Sequence, residues 1–248
     1  MKIKPIIQIQ FKPRRITIIA TGLGIISIIL SFMMKVFPTD IGHWLFRIVS
    51  QISVAGLIIP LYLLFKNNDM RMAGLRYDKS IIYILISIGI AGLLLLQFWT
   101  EDYDLFSRFN THSIEPAVYI AVGNIYEVIF FVIFLRYYFE QAFGIIPAII
   151  LSALFFSFHH AGFQPEFLKL FIVGLTFISL FRMANHWLIC FPFWWVGGIV
   201  DVLTKAEDIS DISGLNWEKS IFILLVVITT LLYFENLNRK NYWSASRL

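Results

Sequence analysis

Long apolar runs almost free of charge constrain this chain before any other feature does. About 20 consecutive apolar residues form a helix long enough to cross a bilayer core. In that medium the helix is favoured because it satisfies its own backbone N–H and C=O groups. Such runs recur at 16–34, 41–65, 80–98, 114–138, 145 to about 158, 167–181, 187 to about 202 and 220–234. The expectation is an all-α, polytopic membrane protein of about eight transmembrane helices, forming a single domain over residues 1–248. Hydrophobic residues make up 58% of the chain and charged residues 15%, and no polar connector is long enough to bury a soluble core of its own. Cys190 is the one cysteine, which excludes an internal disulfide and a thiolate metal cluster; within an apolar run it reads as a small hydrophobe.

Charge placement orients the helices. Lys2, Lys4, Lys12, Arg14 and Arg15 precede the first run with no acidic residue among them. With an even number of spans, this cluster, the basic 66–79 connector, Arg136, Arg182 and the C-terminal Arg239, Lys240 and Arg247 all fall on one side. Glu101, Asp102 and Asp104 and the acidic 207–211 segment fall on the other. The positive-inside rule then predicts a multi-pass cell-membrane protein with both termini cytoplasmic. The net charge of +4 is spread over connectors and tails without a basic aromatic groove, so nucleic acid is not an expected partner. Arg47 and Arg136, near span ends, read as snorkelling to the interface.

Polar groups inside the apolar runs carry the functional signal, because an ionisable group there is costly unless paired or facing a cavity. They concentrate between Gly123 and Phe167. Asn124 and Glu127 are three apart and share a face of the fourth span. Ser152, Ser157, His159 and His160 lie on the fifth, which a short connector makes its antiparallel neighbour. At 1.5 Å per residue, Glu127 stands about 14 Å above Arg136 and His159 about 21 Å above Ile145, a mismatch that tilt must absorb. Consecutive helical residues point about 100° apart, so one histidine at most is expected to face Glu127. The candidate catalytic residues are therefore Glu127 with His159 or His160. A buried carboxylate beside an imidazole is equipped to activate water, and equally to pin two helices together. No HExxH or other complete metal motif occurs, so neither a metal nor a cofactor is expected. Asp201, His43, His112 and His186 are the remaining candidates; His112 and His186 read as solvated and Asp201 as a helix-end aspartate.

Around these residues the chain resembles the CAAX protease and bacteriocin-processing family, also called Abi, over a core of about 114–202. That family is described by EExxxR, FxxxH and HxxxN signatures on about eight membrane helices. The resemblance implies water activation by glutamate and histidine. Glu127 matches the second glutamate, and FxxxH occurs twice, as Phe155 to His159 and Phe156 to His160. Tyr126 stands at the first glutamate, Phe131 at the arginine, Trp194 near the late histidine and Gly198 near the asparagine. These departures lead to the expectation of a non-catalytic member, a pseudoenzyme that sits in lipid and binds or regulates another membrane or cell-envelope protein. An active intramembrane endopeptidase using Glu127 and His159 or His160 is the alternative, and a small transporter a third reading.

Overall fold

A computed structural model describes residues 9–75, 80–101, 111–162, 166–190, 196–198, 200 and 217–245. The described residues form an all-α, multi-pass, membrane-embedded bundle with six helices long and apolar enough to cross a bilayer. Helix α1 is Arg15–Val36. Helix α2 runs without a break over Asp40–Lys66. After a single turn, α3 (Met70–Ala73), come α4 (Ser80–Glu101) and α5, which is continuous through Thr111–Glu127, Val128–Leu135 and Arg136–Phe143. Helix α6 (Ile145–His159) is apolar but only 15 residues long; α7 is Phe167–Ala184 and α8 Trp217–Ala245. The expected spans at 16–34, 41–65, 80–98, 114–138, 145–158, 167–181 and 220–234 each have a helix. Within the run at 187–202, Trp187–Ile189 is a 3₁₀ turn and 196–198 is helical, while its aromatic centre lies outside the described residues.

Helix α5 forms the centre of the bundle. Val128 to Leu135 are apolar without interruption and all buried, so this stretch has no solvent or lipid face. A helix apolar on every side is stable only when neighbours surround it. Lipid-facing helices such as α4 instead expose Ile81, Leu85, Ile88 and Leu93. Gly144, at φ 94°, makes the reversal between α5 and α6 in a conformation other residues rarely adopt. The two helices therefore pack antiparallel, with α6 lying against α1 and α7 as well.

Two π-helical stretches, His43–Ile58 in α2 and Val128–Leu135 in α5, interrupt the α pattern. Their i→i+5 hydrogen bonds widen the helix, a distortion that recurs at functional sites. Glu127 is the last α-helical residue before the second stretch, and Arg47 lies inside the first.

Two sequence-based expectations are corrected here. Arg136 does not snorkel: it is buried, and its guanidinium donates to Glu140 Oε2 at 2.9 Å and to the Ala73 carbonyl at 3.0 Å. Arg182 clamps the same glutamate from α7, so the two arginines share Glu140. His186 is not solvated either; its ring stacks on Tyr83 at 4.4 Å and Nδ1 accepts from the Leu188 N–H. In each case partners inside the bundle hold a group that was assigned to the interface or to water.

Candidate active site

The residues singled out in the sequence meet in the bundle interior. Glu127, His159 and His160 are 6%, 0% and 5% exposed. His159 Nε2 lies 3.4 Å and His160 Nε2 3.7 Å from the same atom, Glu127 Oε1. The depth mismatch counted from the sequence is absorbed by packing along the antiparallel α5–α6 pair.

Both histidines reach the carboxylate, against the expectation of one. The reason is local. Helix α6 ends at His159, and His160 caps it, with its N–H turned to the Ser157 carbonyl at 3.2 Å. Both Nδ1 atoms converge on a single acceptor, the Phe156 carbonyl, at 2.6 Å from His159 and 2.8 Å from His160. This shared bond folds the rings together, to 3.8 Å between centroids. A turn fixed elsewhere holds the cap. The Gly162 N–H donates to Ser31 Oγ on α1 at 3.0 Å, and a Cβ at Gly162 would collide with the Ser31 carbonyl.

The shared acceptor also sets the proton positions. A carbonyl only accepts, so in the neutral rings both Nδ1 atoms carry hydrogen and both Nε2 atoms present lone pairs. Two imidazole lone pairs and one carboxylate oxygen therefore face a common point, all within 4.8 Å of one another. Such a set holds a divalent cation through two nitrogens and an oxygen, leaving coordination positions open. A backbone carbonyl on each Nδ1–H is the outer support that metal-binding histidines usually have. The same residues fit zinc or another divalent transition metal.

Aromatic rings fix the imidazoles. Phe131 lies 4.5 Å from His159 and Tyr126 meets it edge-on at 5.9 Å. Tyr126 has no room to move: a Cβ on Gly56 of α2 would overlap its ring.

A cation reaches Glu127 from α2. Arg47 is 8% exposed, with Nη2 4.0 Å from Glu127 Oε1 and Nη1 donating to Gln51 Oε1 at 2.9 Å. Gln51 Nε2 in turn donates to the Ser27 carbonyl at 2.7 Å. Arg47 therefore forms a buried pair rather than snorkelling. Sequence reasoning missed it because its partner is 80 positions away; its i,i+4 spacing to Gln51 inside an apolar run is the signal that marks it as buried. Asn124, one turn from Glu127, packs against Gly198, where a Cβ would lie 2.8 Å from its Nδ2. His43 is on the Arg47 face of α2 and not at the cluster. Trp194, Asp201 and the side chain of His112 lie outside the described residues.

The cluster overturns the expectation of a non-catalytic pocket. That expectation counted signature residues missing from α5 and from the 187–202 run. The geometry instead gives Glu127 two imidazoles from one helix end and a guanidinium from another helix. Fold and site together define a polytopic helical membrane protein with a buried carboxylate–dihistidine centre. No protein-family model, curated protein or solved structure matches the chain.

Proposed function

We propose that this protein is an intramembrane endopeptidase whose reaction centre is Glu127, His159 and His160. One observation carries the reading: two Nε2 lone pairs and a carboxylate oxygen converge at one buried point with their protons assigned by the Phe156 carbonyl. Three acceptors facing one another call for positive charge or water hydrogens between them. A divalent metal held there would acidify a bound water and polarise a substrate carbonyl. Glu127 takes the proton of the water that attacks the scissile carbonyl carbon and passes it to the departing amine. The Arg47 guanidinium offsets the charge that develops on the carbonyl oxygen, an interaction strengthened by exclusion of bulk water. His159 and His160 hold the water or ion, and Phe131 and Tyr126 keep His159 from rotating away.

The resemblance to the CAAX protease and bacteriocin-processing family supports the same reading, as do the paired FxxxH spacings. In that frame the chain has about eight spans with both termini cytoplasmic, and its substrates are other membrane or cell-envelope proteins. Cells expressing the protein or its Glu127→Gln variant at equal levels provide the test. Protein N-termini that appear with the first and are absent with the second identify substrates and establish cleavage. Identical sets of N-termini refute the proposal. Purified protein should also bind one equivalent of zinc or cobalt, lost in His159→Ala.

A further inference from the structure

Arg47 is one member of a longer series. On α2, Asp40 lies at the helix start, and His43, Arg47 and Gln51 recur every four residues along one face. The side chain of Asp40 is 70% exposed, and its Oδ1 accepts from Lys219 Nζ of α8 at 2.7 Å. The side chain of Lys219 is fully enclosed, with its ammonium 6.0 Å from the Trp44 ring. Next inward is His43, within electrostatic reach of Asp40, Lys219 and Arg47. Its ring faces Tyr119 of α5, 6.2 Å between centroids. Tyr119 is buried and faces the Arg47 guanidinium, which ends the series at Glu127. Five polar side chains from three helices thus run from an exposed carboxylate to the buried centre.

Packing does not explain this series. Apolar residues at these positions would seal the bundle end at lower cost, because buried polar groups stabilise only when satisfied. His43 Nδ1 is sealed from the surface and has no hydrogen-bond partner among the described residues. A buried polar atom in such surroundings is generally satisfied by ordered water. We infer that Asp40, Lys219, His43, Tyr119 and Arg47 line a water-filled column that joins the Asp40 end of the bundle to Glu127. A hydrolytic centre inside a membrane consumes one water per bond cut, and this column supplies it. Its two cations, Lys219 and Arg47, each face a carboxylate, Asp40 and Glu127. Gln51 and Ser27 close the column beyond Arg47.

Cysteine accessibility tests the column without reference to catalysis. Cys190 is the single native cysteine, so a Cys190→Ala background leaves only introduced thiols. Tyr119→Cys and half-buried His43→Cys are placed in the column, and Ile48→Cys, on the next face of α2 and as enclosed as Tyr119, is the packed control. Protein in vesicles is exposed to membrane-impermeant methanethiosulfonates, one bearing a sulfonate and one a trimethylammonium. Tyr119→Cys and His43→Cys should react, while Ile48→Cys stays unmodified. Silence at both column positions, with an Asp40→Cys control reacting normally, overturns the inference. So does Ile48→Cys reacting as fast as Tyr119→Cys. Because the readout is thiol modification, a labelled column beside an inert Glu127 would sink the endopeptidase and leave the column standing.

Discussion

Replacing Arg47 with methionine keeps most of the side-chain volume and removes the cation beside Glu127. At the 4.0 Å separation, with an effective dielectric of about 20, the pair is worth about 4 kcal/mol. Breaking a buried pair by deleting one partner costs about 3–5 kcal/mol, because the remaining charge stays buried. Arg47→Met also leaves Gln51 Oε1 without its donor, for about 1 kcal/mol more. In a chain of this size each kcal/mol lowers the melting temperature by about 2–4 °C, so a loss of roughly 15 °C is expected in detergent, read by intrinsic tryptophan fluorescence. The decisive measurement is the cycle with Glu127→Gln. Neutral glutamine needs no cation, so the double variant should be about as stable as either single variant, giving a coupling energy of about 3–5 kcal/mol. Added zinc should restore much of the single Arg47→Met loss, since it supplies the missing positive charge. If the two single losses simply add, with coupling below about 0.5 kcal/mol, Arg47 and Glu127 do not act on each other and the electrostatic account of the site is wrong.

His159→Ala and His160→Ala should each weaken zinc or cobalt binding by more than about 100-fold, measured by chelator competition; an effect confined to one of them would mean that the other only caps α6. Gly162→Ala forces the turn away from the Ser31 carbonyl, at a cost of about 1–3 kcal/mol, and should lower both the melting temperature and metal affinity, because that turn seats His160. Arg136→Met, at the opposite end of α5, should cost about 1–3 kcal/mol through the Ala73 carbonyl it leaves unpaired, with metal affinity unchanged. Treatment with phenanthroline should abolish whatever cleavage depends on Glu127, with recovery on adding zinc.

The helical, membrane-spanning character was legible in the sequence because hydrocarbon imposes one local rule. Each long apolar run must bond its own backbone, so α1, α2, α4, α5, α7 and α8 follow from composition and length, with boundaries within a few residues of the expected ones except that α8 continues past 234 to Ala245. The same logic picked out Glu127, His159 and His160: a charge inside such a run is too costly to be incidental. What it could not supply was relative depth, rotation and partnership between helices. Those depend on contacts such as Gly56 under Tyr126 and Gly162 against Ser31, which join residues up to 131 positions apart. Arg47, Arg136 and His186 look like interface residues one run at a time, and only the packed bundle reveals the carboxylate, carbonyl or ring that accepts each of them. The pairing of the histidines was hidden for a smaller reason. Ideal helix geometry separates neighbours by 100°, and it is the end of α6 at His159, with one carbonyl shared between two rings, that turns both toward Glu127. Residue types and their cost in lipid are properties of the chain itself; the direction in which a side chain points inside the bundle belongs to its neighbours.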